Sequence, residues 1–495
     1  MSLKHNIVAN YVSQLYGTGV AMVMVPVYVR YMGIEAYGLV GFFTMLLMWF
    51  QLLDIGLGAT MAREAARFQG GGTDAHSLRR FLHVLEGFFL CVAVVAGGSL
   101  ALNAESIAHG WLNAEQLSNT EVQAALTLMA GVIALRWMSG LYRAAITGCE
   151  RLVWLSGLNV SVATTRFVLV VPFFMFVGTT PRHFFAFQLT VAAAELAVLV
   201  VQTYRIMPPA RGTSAVPFTW ASMGKVLRFS LSIAFSNMIW VVITQTDKLV
   251  LSKLLPLSEY AYFTLAVLVA SGVTVVASPI SAALQPRLTR LSAAGDQEGL
   301  MRVYHDTTQL VGVIVIPASA MLAFFSEQVL WAWTGDREIA HRAAPVLTLY
   351  ALGNGITALG ALPYYLQVAK GDLKLHLIGN ALFVAVLIPV LIWAARHYGM
   401  IGAGFTWFTA NAAYFLLWIP RVHNRMRKGL HLQWLRRDVG AIVLMTLAGA
   451  GAAHWLLAWP PGRLTVALEI CVLGMGLMAV AGSASSWVRN VLVNR

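Results

Sequence analysis

This 495-residue chain is unusually poor in charge. Only 11% of its residues are Asp, Glu, Lys or Arg, where soluble domains carry roughly a quarter. Hydrophobic residues make up 58% of the chain, and the mean hydropathy is +0.71. A soluble fold of this length has too little interior to bury so many apolar side chains. The composition therefore excludes a soluble protein and indicates a single polytopic membrane body.

Motifs that mark cofactors, metals and nucleophilic catalysis are absent as well. The chain has no GxxxxGK[ST] loop for ATP, no HExxH or paired Cys ligands, and no GxSxG elbow with partner residues. The three cysteines, Cys91, Cys149 and Cys471, are far apart and lie in or beside apolar segments. They do not form a disulfide or zinc pattern, and we interpret them as buried hydrophobes. We expect no cofactor, no metal and no enzyme activity.

Long apolar segments recur from one end of the chain to the other. A helix that crosses the roughly 30 Å hydrocarbon layer needs about 20 mostly apolar residues, and this length predicts about fourteen membrane-spanning helices. The predicted spans are Ile7–Val29, Gly38–Leu57, Phe81–Leu102, Val122–Ile146, Leu152–Val177, Phe184–Tyr204, Phe229–Leu251, Tyr260–Ala283, Thr308–Phe325, Ala343–Val368, Leu375–Ala395, Met400–Pro420, Val439–Trp459 and Leu464–Ser483.

The charge that is present is mostly basic and lies in the loops. The net charge of +13 comes from 34 Lys and Arg against 21 Asp and Glu. If the N-terminus is cytoplasmic, most Lys and Arg residues fall in cytoplasmic loops, which is the usual bias of inner-membrane proteins. The distribution predicts that both termini are cytoplasmic. The basic loop 421–429 is then an anchor for anionic lipid, and we expect no nucleic-acid partner.

The chain also resembles itself at an offset of about 222 residues. The segment 35–37 aligns with 258–260, Thr147-Gly148 with Lys370-Gly371, and Asn159 with Asn380. Six spans per repeat predict two lobes of the same orientation, related by a pseudo-twofold axis along the membrane normal, as in many transporters. The predicted division is a lobe at residues 1–210, a lobe at 211–430 and an additional helix pair at 431–495.

A few charged residues fall inside the predicted spans. Arg136 and Arg143 share one polar face of the fourth span, and Asn159 and Arg166 share a face of the fifth. Ionisable groups at this depth usually face a bundle interior and mark a pathway. Since a guanidinium stays charged, buried arginines suit a phosphate-bearing solute. The alternative is that Glu195 in the sixth span neutralises one arginine and joins helices without a role in transport.

Several segments then resemble a known family. They are Asn10-Tyr11, PVYVRYMGIEAYG at 26–38, LLDIGLG at 52–58, REAAR at 63–67, DKLVLSKLL at 247–255 and EYAY at 259–262. These segments are similar to the polysaccharide-transporter branch of the multidrug/oligosaccharidyl-lipid/polysaccharide (MOP) exporter superfamily, which includes the Wzx-type O-antigen and exopolysaccharide flippases. Many O-antigen flippases are drawn with twelve spans, and a count near fourteen is found in some exopolysaccharide and lipid II flippases.

The resemblance implies a flippase in the bacterial inner membrane that carries an undecaprenyl-pyrophosphate-linked oligosaccharide through a cationic cavity between two lobes. It implies membrane lipid, a polysaccharide polymerase and a chain-length regulator as partners. Two alternatives stay open, a drug or cation exporter of the same fold and a membrane glycosyltransferase or polymerase. The candidate residues are Arg136, Arg166, Arg143, Arg30 and Lys248 for the pyrophosphate, Asn10, Gln14, Asn159 and Asn237 for the sugars, and Asp247 and Glu195 for coupling to H+ or Na+.

Overall fold

A computed structural model describes residues 3–72, 74–207 and 238–493. Within these ranges the chain is mainly α-helical and has no β-strand. Three π-helical turns, Thr164–Val168, Tyr414–Trp418 and Leu435–Gly440, interrupt the α-helices. The α-helices are α1 (Leu3–Met32), α2 (Ile34–Gln51), α3 (Leu57–Gln69), α4 (Ala75–Leu102), α5 (Ala104–Gly110), α6 (Asn119–Gly148), α7 (Leu152–Ala163), α8 (Val170–Phe176), α9 (Pro181–Ile206), α10 (238–254), α11 (Leu257–Ala293), α12 (Gln297–Phe324), α13 (Ser326–Thr334), α14 (Arg337–Lys370), α15 (Lys374–Ala413), α16 (Ile419–Met426), α17 (Leu430–Trp434), α18 (Ala441–Leu456), α19 (Arg463–Ala484) and α20 (Ser486–Val493).

In the described part of the chain, twelve helical segments are long and apolar enough to cross a bilayer. One of them, Lys374–Met426, contains the eleventh and twelfth predicted spans, which are separated at Gly399 by a φ of 59° and a ψ of −140°. The seventh predicted span begins outside the described residues, and α10 is its described part. Together these segments correspond to the fourteen predicted spans, and the structure confirms an all-α multi-pass membrane protein.

The distribution of apolar and polar side chains fits a lipid environment. Phe176 and Trp455 are each 88% exposed on the protein surface, whereas the polar side chains of Thr308 and Asp438 are fully buried. Apolar side chains on the outside and polar ones inside are expected when hydrocarbon surrounds the helices. The exposed apolar surface of these helices is therefore their lipid-facing surface.

The three cysteines are free thiols. The interpretation of them as buried hydrophobes is confirmed for Cys149 and is wrong for Cys91 and Cys471, which lie on exposed surfaces of α4 and α19. The reason is that lipid tails are as apolar as a protein core, so no hydrophobic force drives a small apolar side chain inward from a spanning helix.

The described residues fall into two compact units, Met1–Ala261 and Tyr262–Arg495, and the boundary between them lies within α11. In the first unit α6 is the central helix and packs against α3, α4 and α9. In the second unit α12 and α14 pack together, and α18 and α19 pack against α12. The sequence-based division at residues 210 and 430 remains a prediction.

A buried polar network holds the C-terminal helices of the second unit against α12. His305 and Gln309 of α12 both hydrogen-bond to the carboxylate of Asp438, and the Gln309 amide does so at 2.9 Å. The Gln309 side-chain oxygen accepts from the Ser485 hydroxyl at 2.8 Å and from the Trp487 backbone N–H at 2.9 Å. A buried network of this kind fixes helix position because each group would otherwise be left unpaired in a low-dielectric interior.

The LLDIGLG segment forms the turn between α2 and α3. A single 3-10 turn, Leu52–Asp54, is followed by Ile55 at a φ of 48° and Gly56 at a φ of 77°. The Asp54 carboxylate accepts a hydrogen bond from the Gly58 backbone N–H at 2.9 Å. Two consecutive left-handed residues end one helix, and the carboxylate satisfies a free N–H group at the start of the next one. The motif thus redirects the chain into α3.

We expect Gly148→Ala to destabilise the protein, because α6 ends against α3 with no room for a side chain. A Cβ at Gly148 would lie 2.7 Å from the Ala65 Cβ and still closer to the Ala62 carbonyl oxygen. Overpacking of this kind costs about 1–3 kcal/mol, which a lower Tm in detergent measures. Gly140→Ala is the matched control on α6, where a Cβ meets nothing within 4 Å. Equal Tm values for the two variants would contradict this packing.

Candidate functional site

Three arginines and one glutamate lie together inside the first compact unit, and we call Arg136, Arg143, Arg166 and Glu195 the arginine cluster. Arg136 and Arg143 are seven residues apart on α6 and therefore share one face of that helix. Arg166 lies in the π turn Thr164–Val168, and Glu195 lies on α9. All four belong to segments that are long and apolar enough to span a membrane.

One carboxylate is shared by two guanidinium groups. Arg166 Nη2 donates to Glu195 Oε2 at 2.7 Å, and Arg143 Nη2 donates to the other carboxylate oxygen, Oε1. Arg143 also donates through Nη1 to the side-chain oxygen of Asn159. Arg166 and Glu195 are only 9% and 5% exposed, respectively. The pairing alternative from the sequence is thus observed for Arg166, and Arg143 shares the same partner.

Arg136 is held differently from the other two arginines. Its guanidinium lies over the ring of Phe43, 5.9 Å from the ring centroid, a distance at which a cation is attracted to the aromatic face. Among the residues that the structure describes, it has no hydrogen-bonding or ion-pair partner. Its charge interacts with those of Arg143, Arg166 and Glu195. The cluster therefore holds three cations against one carboxylate, and two positive charges are not neutralised within it.

The cluster also has a free hydrogen-bond donor. Arg166 Nε is buried and has no partner within the described ranges, and a buried donor without a partner costs free energy. A phosphate oxygen accepts from guanidinium groups in the planar geometry that arginine provides. With its surplus charge and free donors at Arg136 and Arg166, the cluster has the chemistry of an anion-binding site.

The predicted pair Asp247 and Lys248 lies on α10. Lys248 Nζ is 3.6 Å from the Asp247 carboxylate and donates to the Thr244 carbonyl oxygen at 2.7 Å. The two side chains thus form an ion pair on α10. The predicted roles of Lys248 in pyrophosphate binding and of Asp247 in coupling to H+ or Na+ stay predictions.

Of the remaining predicted residues, those that the structure describes are not joined to the cluster by hydrogen bonds. Arg30 is exposed in the last turn of α1 and forms no ion pair with any described residue. Asn10 and Gln14 are exposed on the same helix, and Asn237 lies outside the described residues. Binding roles for these four side chains stay predictions.

Two further polar residues of the first unit, Glu86 and Gln188, are not among the residues predicted from the sequence. The Glu86 carboxylate on α4 accepts from the hydroxyl groups of Tyr142 and Tyr204 at 2.9 and 2.8 Å. Gln188, which is 3% exposed, donates to the carbonyl oxygen of Arg166 at 3.2 Å. Both had a sequence signal. Glu86 is an acid within an apolar span, and Gln188 precedes Glu195 by seven residues, which places both on one face of α9.

The fold is that of an all-α multi-pass membrane protein. The sequence pattern of the family described as "Polysaccharide biosynthesis protein" matches residues 3–292, more than half of the chain. The chain belongs to this family. A second pattern, described as "MatE", matches residues 232–393. The resemblance to the polysaccharide-transporter branch of the MOP superfamily is thereby confirmed.

Individual proteins and structures agree with this assignment. The chain is similar to a "Putative O-antigen transporter" from Shigella flexneri, with 21% identity over 407 residues that cover 82% of this chain and 94% of that protein. Among solved structures it resembles the lipid II flippase MurJ in an inward closed conformation, with a TM-score of 0.73, 13% identity and coverage of 98% and 99%. It also resembles an inward-facing multidrug resistance MATE family transporter of the MOP superfamily, with a TM-score of 0.65, 16% identity and coverage of 86% and 99%. At these identities the solved structures show a shared fold.

We expect Glu195→Gln to lower the Tm strongly, because it leaves three guanidinium groups together without a carboxylate. Removing one partner of a buried ion pair costs on the order of 3–5 kcal/mol in soluble proteins. Glu86→Gln is the matched control, because a glutamine oxygen still accepts from Tyr142 and Tyr204 and no arginine loses its partner. Thermal unfolding of both variants in detergent measures the difference. An unchanged Tm for Glu195→Gln would show that the carboxylate does not hold the cluster together.

Proposed function

We propose that this protein is a flippase that moves an undecaprenyl-pyrophosphate-linked oligosaccharide from the inner to the outer leaflet of the bacterial inner membrane, for O-antigen or exopolysaccharide biosynthesis. The family match over residues 3–292 supports the polysaccharide part of the proposal. The name of the Shigella flexneri relative supports an O-antigen substrate, and the fold is one that a lipid II flippase also has.

The surplus positive charge of the arginine cluster is the observation on which the proposal depends most. An ionisable group at the bilayer centre costs about 2.5–3.5 kcal/mol on insertion scales. Three arginines with one carboxylate therefore make insertion less favourable, and this cost indicates that the arginines have a function. Pyrophosphate carries the complementary charge and enough oxygens to accept from several guanidinium groups. In our proposal Arg136 and Arg166 bind the pyrophosphate, and Arg143 assists.

Glu195 provides a mechanism for release as well as for stability. In the empty protein its carboxylate occupies Arg143 and Arg166. In the proposed cycle, the arriving pyrophosphate takes over these donors, and a proton reaching Glu195 removes the competing negative charge. Deprotonation then restores the pairs and displaces the substrate. Glu195 is thus the first candidate for coupling to H+, and Asp247 is a second candidate for coupling to H+ or Na+.

The sequence pattern supplies the lobes, the orientation and the other binding residues of the transport cycle. The lobes at 1–210 and 211–430 open alternately to the two sides of the membrane, and the helix pair at 431–495 is additional to them. Both termini are cytoplasmic. Arg30 and Lys248 extend the basic surface for the pyrophosphate, Asn10, Gln14, Asn159 and Asn237 contact the sugars, and the polyprenyl chain stays in the lipid. A polymerase and a chain-length regulator receive the product.

A drug or cation exporter is the second candidate function. It is favoured by the MatE match at residues 232–393 and by the fold shared with a multidrug transporter. A cluster with two surplus positive charges repels a cationic drug, and for that reason we place this function second.

We expect Arg136→Glu and Arg166→Gln each to reduce surface polysaccharide at least tenfold in a strain that lacks the chromosomal gene, because each removes a donor and a charge from the pyrophosphate site. Tenfold corresponds to about 1.4 kcal/mol, less than truncating one side of a buried charge pair usually costs. Gel analysis of extracted polysaccharide gives the readout. Immunoblots of the membrane fraction verify insertion, and Arg182→Gln, an exposed arginine on α9, is the control.

Full polysaccharide export by both cluster variants would refute the assignment of the pyrophosphate site. The second candidate function is tested in the same strains by their sensitivity to cationic dyes. Loss of dye resistance together with normal polysaccharide would replace the flippase with a cation exporter.

A further inference from the structure

Arg166 does not lie in a regular α-helix. The turn Thr164–Val168 is π-helical, and the Leu169 backbone N–H reaches back five residues to the Thr164 carbonyl oxygen at 3.2 Å. A π turn takes one more residue than an α turn, and such turns are frequent at functional sites. The wider turn also loosens the usual backbone pairing, so its carbonyl groups need other donors in a membrane interior.

Two buried side chains from neighbouring helices supply these donors. The Tyr28 hydroxyl on α1 donates to the Phe167 carbonyl oxygen at 2.8 Å, and the Gln188 amide on α9 donates to the Arg166 carbonyl oxygen at 3.2 Å. Tyr28 and Gln188 are each 3% exposed. Two successive carbonyl groups of the π turn thus accept hydrogen bonds from side chains of neighbouring helices.

Helix α9 contacts both the backbone and the guanidinium group of Arg166. Gln188 bonds to its backbone, and Glu195, two turns further along the same face, bonds to its guanidinium. The ring of Tyr28 is fixed by Phe184 of α9 and by Phe174 of α8, with centroid distances of 5.6 and 6.3 Å. The ring of Tyr28 is thus packed against α8 and α9, and both donors contact the turn that carries Arg166.

We propose that Tyr28 and Gln188 are positioning residues for anion binding: by bonding to the Phe167 and Arg166 carbonyl groups, they hold the π turn in the register that directs the Arg166 guanidinium toward Glu195 and the substrate pyrophosphate. This inference rests on the proposed function. Without these donors, the carbonyl groups of the turn can be satisfied only by backbone N–H groups, which favours a regular α-helix. The change from a π turn to an α turn shifts the register by one residue. Such a shift rotates a helical side chain by about 100° and takes Arg166 out of the site.

The test measures binding of undecaprenyl pyrophosphate to the full-length protein in lipid nanodiscs. Tyr28→Phe removes one hydroxyl and keeps the ring, and Gln188→Leu removes the amide. Each variant loses one hydrogen bond to the π turn, which shifts the equilibrium between the two registers. We therefore expect each variant to raise the Kd about three- to tenfold, the range that corresponds to the free energy of one hydrogen bond. Tyr31→Phe and Gln202→Leu are the matched controls on α1 and α9. The hydroxyl of Tyr31 and the amide of Gln202 have no hydrogen-bonding partner among the described residues, and both variants should bind as the wild type does.

Combining each change with Arg166→Gln separates positioning from ordinary stabilisation. If Tyr28 and Gln188 act through Arg166, the double variants bind no more weakly than Arg166→Gln alone, while the Tm still falls in both backgrounds. The inference is overturned if either change weakens binding equally in both backgrounds, or if both single variants bind as tightly as the wild type. Wild-type affinity of Arg166→Gln would instead refute the pyrophosphate site, so the two failures are distinguishable.

Discussion

The carboxylate of Glu195, shared between the guanidinium groups of Arg143 and Arg166, is the interaction on which the candidate site depends. A buried arginine is costly in any low-dielectric medium, and three of them together repel one another as well. One acid between two of the arginines relieves both costs and joins α6, α9 and the turn after α7. The same contact leaves Arg136 and one donor of Arg166 outside the pairing, and these are the groups that we propose to bind the anion.

Much of the fold could be predicted from the sequence because the bilayer imposes one strong rule. Every backbone polar group of a spanning segment must be satisfied within the protein, so apolar length alone identifies helices. This reasoning correctly placed Arg136 and Arg143 on one face of α6. It also recognised Glu195 as a partner for an arginine, because acids at membrane depth are few.

The sequence could not show which residues of the cluster form ion pairs and hydrogen bonds with one another. Glu195 has three arginines within electrostatic reach, and its choice among them depends on the rotation of α9, which is set by packing along the whole helix. The π turn has no composition signal, because it differs from an α turn only in register. The seven-residue spacing predicts that Gln188 and Glu195 share one face of α9. It does not predict that Gln188 donates to a backbone carbonyl group, because that bond depends on the π turn.

Fold and site answer different questions in this family. The same architecture is found in a lipid II flippase and in multidrug transporters, so it specifies two units of spanning helices and leaves the solute open. The sign of the buried charge is more selective. A cluster with one carboxylate for each arginine would have a low free-energy cost of membrane insertion, but it would have no positive charge left to bind an anion. A cluster with no carboxylate would bind an anion tightly, but its cost of membrane insertion would be high. A single acid among three arginines lies between these limits, and in the proposed cycle the anion is bound and then released when the acid regains its partners.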